Sequence, residues 1–157
     1  MQFSFKKNLA NSVSILNLFL GFLSIILMSL SFQDLNSQTG IKTACLLIFL
    51  AAVIDVFDGK IARKLGTSGN FGKEIDSLAD LVSFCLAPSL LIFTYYYDLI
   101  SFNIYYLIFI SSFPLICGAI RLADFNSNSK QSNLSYYSGL PTPSNALFIC
   151  SNFSYKL

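Results

Sequence analysis

From Asn11 onward the chain does not alternate apolar with polar residues; long apolar runs are separated by short polar breaks. The runs fall at 12–32, 43–64, 75–97 and 102–123. Each is long enough to cross a hydrocarbon core as one helix, which takes about 20 predominantly apolar residues. The short alternating strands of a membrane β-barrel are not seen. "NSQTG" (Asn36–Gly40), "GTSGN" (Gly66–Asn70) and Asp98–Asn103 read as turns between helices, and Asp124–Gly139 reads as a longer polar loop. Asn70 is placed to cap the third helix. A last apolar run, Ala146–Phe153, is too short to span; it reads as an interfacial tail or, the favoured reading, as the opening of a fifth helix in an incomplete copy of a longer chain. The pattern therefore predicts a single domain over 1–157, an all-α polytopic membrane protein with four transmembrane helices plus the start of a fifth, and a C-terminally incomplete core.

Composition agrees: of 157 residues 54% are hydrophobic and 11% charged, and mean hydropathy is +0.63, outside the range of soluble domains. The first run follows Lys6 and Lys7 but offers no clear small-x-small cleavage site before Gln33, so a retained helix is expected rather than a secretory signal. Cys45, Cys85, Cys117 and Cys150 lie in apolar segments without ligand-like spacing and read as small buried hydrophobes. Net charge is only +2 with no long basic run, which argues against a nucleic-acid partner. Cations gather before the first helix, between the second and third, and after the fourth. The positive-inside tendency then places the N-terminus and the Gly66–Asn70 turn in the cytoplasm. There is no histidine, which excludes Ser-His-Asp and Cys-His catalysis and His-containing zinc sites. Any chemistry rests on carboxylates, cations and metals.

Such chemistry has one obvious place. "DVFDGKIARKLGTSGNFGKEIDSLAD" (Asp55–Asp80) gathers four aspartates, a glutamate and four cations. On the second helix Asp55, Asp58, Gly59 and Ala62 share a face; on the third, Gly72, Asp76 and Asp80 recur every four residues. Two helices joined by a tight turn pack antiparallel, which brings the aspartate pairs together. An aspartate at the centre of a membrane helix costs about 2.5–3.5 kcal/mol to insert, so four need a compensating partner. Carboxylates without imidazole or usable thiolate suit hard cations, Mg²⁺ or Mn²⁺, and two such ions would balance four negative charges. Paired metals are a recurrent device of phosphoryl chemistry. Lys60, Arg63, Lys64 and Lys73 suit a phosphate-bearing substrate, with positive-inside anchoring as their plainer role. Glu74 reads as a favourable charge at the helix start.

The order Asp55-x2-Asp58-Gly59-x2-Ala62-Arg63-x8-Gly72-x3-Asp76-x3-Asp80 resembles the signature of the CDP-alcohol phosphatidyltransferases at all eight specified positions. Within that family, "LNLFLGFLSI" (Leu16–Ile25), "EIDSLADLVSFCLAPS" (Glu74–Ser89), "GAIRLADFN" (Gly118–Asn126) and "SGLPTPSNA" (Ser138–Ala146) are most similar to the CDP-diacylglycerol–serine branch. The resemblance covers about Asn11 to Ala146. It implies a six-helix core, of which this chain supplies four helices and the opening of a fifth, and a homodimer as one state of assembly. By position it implies Asp55, Asp58, Asp76 and Asp80 as metal ligands, with Asp80 also the general base. Gly59, Ala62, Arg63 and Gly72 would line the CDP site, Ser68 would donate to the nucleotide, and Arg121 would bind substrate phosphate or carboxylate. The implied reaction, at the cytoplasmic face of the lipid bilayer, joins CDP-diacylglycerol and L-serine into phosphatidylserine with release of CMP. Asp124 stands where related chains commonly carry Arg, and Ala10 where proline is frequent.

Two other readings remain open on the sequence. Glycerol 3-phosphate or inositol phosphate could replace serine as acceptor, although the fourth helix offers only Arg121 for a second phosphate. A divalent-cation carrier would also place carboxylates in the membrane, but it would not need the nucleotide-sized clearance at Gly59, Ala62 and Gly72.

Overall fold

The structure is a computed structural model that describes the backbone of residues 2–31, 37–65, 70–97, 103–128 and 141–156, and the side chains of 12–31, 39–57, 71–97, 103–127 and 141–153. Every element is helical: α1 (Gln2–Ser31), α2 (Ser37–Leu65), α3 (Asn70–Asp80), a π-helical segment (Leu81–Leu86), α4 (Ala87–Tyr97), α5 (Ile104–Asn128) and α6 (Thr142–Lys156). Among the described residues four stretches are long and apolar enough to cross a membrane: Ser12–Ser31, Thr39–Phe57, Phe71–Tyr97 and Ile104–Ser127. The chain is thus an integral, multi-span protein with a partial fifth helix. Each span overlaps the apolar run read from the sequence.

Lipid tails are as apolar as leucine, so helices in a bilayer are drawn together by close packing and hydrogen bonds rather than by escape from water. The interior is accordingly built from small residues. Ala44, Ala51, Ala52, Ala79, Ala87 and Ala146 are buried along with Ser24, Ser83 and Ser89. Met28, Ile48 and Leu91 are among the largest side chains wholly enclosed. α6 closes the bundle beside α2 and α4, burying Ala146, Cys150 and Phe153; the Phe153 ring lies 4.6 Å from that of Tyr95. Three hydroxyls inside the bundle are satisfied within their own helices: Ser24 donates to the Gly21 carbonyl at 2.7 Å, Ser31 to Leu27 at 2.8 Å and Thr94 to Leu90 at 2.8 Å.

α3, the π segment and α4 form one continuous span. The turn widens where Ala87 N–H donates to the Val82 carbonyl, five residues back. Pro88, buried just after it, explains the widening: a mid-helix proline has no N–H, and its ring clashes with the carbonyl four residues earlier, that of Phe84. The wider turn fits between two glycines. A Cβ on Gly21 of α1 would overlap the Ser83 hydroxyl and lie 2.8 Å from Ser83 Cα, and one on Gly118 of α5 would overlap Cys85 Sγ.

Four sequence expectations need adjusting. α2 begins at Ser37, so Ser37–Gly40 of the expected turn is helical. Helix α3 begins at Asn70 itself rather than after it. α5 continues through Asn128, so Asp124–Asn128 is helical, and residues 129–140 of the expected loop lie outside the described residues. Cys45, Cys85 and Cys150 are buried as expected, but Cys117 is exposed on α5.

Candidate functional site

The π segment sets the frame for the carboxylates, because Asp80 is the last residue before it. Asp55 projects from α2, and Asp76 and Asp80 from successive turns of α3. One oxygen from each lies within 4.8 Å of the others, and all three residues are half-buried. Two unit charges at that separation repel by about 3.5 kcal/mol at an effective dielectric of about 20. Three carboxylates brought so close in a largely apolar bundle favour a bound counter-charge or a shared proton. The donors are all hard oxygens, which fits a divalent cation of the Mg²⁺ or Mn²⁺ class.

The surrounding framework holds this arrangement from both sides. On α1, the Ser14 hydroxyl makes a long 3.5 Å contact with Asp76 Oδ1. Beyond it, the Ser83 hydroxyl donates to the Asn17 carbonyl at 2.9 Å. On α5, Asn126 Nδ2 donates to Ser77 Oγ at 2.9 Å, and Ser77 in turn donates to the Lys73 carbonyl at 2.9 Å. With Asn126 opposite Ser77 and Gly118 opposite Cys85, α5 runs antiparallel to the α3 span. Half-buried Arg121 therefore falls level with Val82, within a turn of Asp80. Asp80 and Arg121 both lie within electrostatic reach of the Cys85 thiol.

Of the residues singled out in the sequence, Asp55, Asp76 and Asp80 converge, and Arg121 is brought to their level. Gly72 lies half-buried in the first turn of α3. Asp58, Gly59, Ala62 and Arg63 follow Asp55 along α2, but their side-chain environments lie outside the described residues, as does the whole of Ser68. Ser14, Asn17, Ser77 and Asn126 were missed by the sequence reading. Their signal was polarity at intervals of a helical turn: Ser14 and Asn17 recur on one face of α1, and Ser77 lies one residue after Asp76. The π segment was signalled by a proline inside an apolar span.

These features define a membrane carboxylate site on two helices joined by a short connection, and the sequence comparisons agree with that class. The CDP-alcohol phosphatidyltransferase profile matches residues 7–155, and the chain belongs to that family. Among curated relatives, it is 37% identical over 150 residues to a CDP-diacylglycerol–serine O-phosphatidyltransferase of Saccharomyces cerevisiae, covering 90% of this chain and 52% of the relative. It is 37% identical over 134 residues to the protein of that name from Helicobacter pylori, covering 85% and 52%. A Methanocaldococcus jannaschii protein of the same name is 35% identical over 152 residues, covering 94% and 62%. The chain thus spans about half the length of the first two of these relatives.

Proposed function

We propose that the protein transfers a phosphatidyl group from CDP-diacylglycerol to the hydroxyl of L-serine, giving phosphatidylserine and CMP. The observation that carries this reading is the convergence of Asp55, Asp76 and Asp80 from two helices, in a chain whose relatives are named for that reaction. Asp58 completes the ligand set, and two ions, Mg²⁺ or Mn²⁺, are held by the four carboxylates. When bound, they supply positive charge for the phosphate oxygens and the departing CMP. Gly59, Ala62 and Gly72 leave room for the nucleotide; Arg63 and Ser68 bind its phosphates and Arg121 the acceptor carboxylate. Asp80 accepts the proton of the serine hydroxyl. The serine oxygen forms its bond to the phosphorus that bears diacylglycerol, and the bond from that phosphorus to the CMP oxygen breaks. The N-terminus and the α2–α3 connection face the cytoplasm, where serine and CDP-linked substrates meet, and a homodimer is the proposed assembly.

The test is CMP release from purified protein in detergent or liposomes. CDP-diacylglycerol is supplied with Mn²⁺ or Mg²⁺ and a panel comprising serine, glycerol 3-phosphate and inositol phosphate. Release that requires both the metal and serine is expected. Release without serine, release without metal, or none from folded protein overturns the assignment, and release with another acceptor moves it within the family.

A further inference from the structure

The buried face of α1 is polar where it meets α3 and the π segment. Ser14, Asn17, Gly21 and Ser24 follow at helical intervals. The two serines each have a hydrogen bond, to Asp76 and to the Gly21 carbonyl. Asn17 differs. It is 1% exposed, and neither its Nδ2 nor its Oδ1 has a hydrogen-bond partner among the described residues. A primary amide carries two donors and an acceptor oxygen, and enclosing it unbonded is unfavourable. For packing alone, an apolar residue of the same size would serve better.

Two contacts locate that amide. Ser14 meets Asp76 and Gly21 meets Ser83, each pair 62 residues apart. α1 and the α3 span therefore run parallel in one register. Asn17 falls level with Ala79, which is fully buried and offers no polar side-chain atom. Ala79 lies between the turns that carry Asp76 and Asp80. The bond from the Ser83 hydroxyl to the Asn17 carbonyl fixes this turn of α1 against the π segment.

We infer that Asn17 is a positioning residue for the carboxylate cluster: its amide donates to Asp80 when a divalent cation is held, as the Ser14 hydroxyl reaches Asp76. The role rests on reading Asp55, Asp76 and Asp80 as a cation site. An amide suits it, because it donates without titrating and adds no charge to the membrane interior. Donors that orient ligand carboxylates typically contribute about 10–100-fold to metal affinity.

The test is a Mn²⁺ titration of the whole chain in detergent, followed by the paramagnetic resonance of free Mn²⁺, without substrates. Asn17→Leu keeps the number and branching of the side-chain heavy atoms and removes the donor. It is expected to fold and to bind Mn²⁺ about 10–100-fold more weakly than the wild type. Removing a merely structural amide would shift the melting temperature and leave the Mn²⁺ affinity unchanged, which overturns the inference. If the branched side chain prevents folding, Asn17→Ala is read in the same titration by the same criterion. Wild-type protein that binds no Mn²⁺ overturns the cation site itself; wild-type binding with unaltered affinity in the variant overturns only the role of Asn17.

Discussion

The spans Phe71–Tyr97 and Ile104–Ser127 qualify equally as membrane helices, yet half (50%) of the apolar stretch of the first is buried in the bundle and only 11% of the second. The enclosed span presents Ala79, Ser83, Cys85, Ala87 and Ser89 to its neighbours. The peripheral one turns Tyr105, Phe109, Phe113, Ile116 and Ile120 outward. Hydrophobicity therefore does not mark the core of this molecule, because lipid accepts large apolar side chains as readily as a protein interior does. Small and polar residues mark it, and the carboxylate cluster draws on the same span: Asp76, Asp80 and the π segment all belong to it.

The largest effect expected from disturbing that span is at Asp80. Asp80→Asn keeps the shape and removes the proposed proton acceptor, so CMP release should fall by about 10²–10⁴-fold, the usual contribution of a general base. Nucleotide binding should be largely spared. A variant that turns over at the wild-type rate would remove Asp80 from the base role. The same substitution at Asp55, on the other helix, is expected to raise the Mn²⁺ concentration needed for half-maximal release, a split between the two positions that identical roles would not give.

Next come the glycines that admit the wide turn. Gly21→Val and Gly118→Val place branched side chains where even a Cβ overlaps Ser83 or Cys85. Overpacking of this kind costs about 1–3 kcal/mol. Gly21→Val should be the worse of the two, because it also presses on the Ser83 backbone, whereas the Gly118 neighbours are atoms of one cysteine side chain. Thermal unfolding in detergent checks the order; equal stability of both variants and wild type would mean that the π segment is not clamped.

The four spans and the meeting of Asp55 with Asp76 and Asp80 were legible in the sequence for a physical reason. Apolar runs of membrane length can hardly be hidden, and aspartates inside them are too costly to be incidental. Which face of each span lies inward was not legible from hydrophobicity, since the interior and the lipid are both apolar; it is written in the small and polar positions instead. The extension of α5 through Asn128 was read as loop because Ser and Asn favour turns. Tertiary bonding overrides that preference: Asn126 docks on Ser77. Asn126→Ala should therefore cost about 0.5–1.5 kcal/mol, the net value of one such bond, and should loosen the end of α5 nearest the carboxylates, seen as faster amide exchange there.

The smallest effect is expected on the outward face of α5. Phe109 and Phe113 stack on each other edge to face, with centroids 5.6 Å apart, and both are more than half exposed. In a bilayer their neighbours there are acyl chains, for which leucine is as good a partner as phenylalanine. Phe109→Leu and Phe113→Leu together should change stability by less than about 0.5 kcal/mol and leave CMP release unaltered. A second copy of the chain seated on this face would change that outcome, because paired aromatic rings would then be enclosed on all sides and their loss would lower both the melting temperature and the dimer fraction. Measuring both quantities on the double variant thus separates a lipid-facing surface from an interface, and the comparison with the enclosed span holds in full only if neither moves.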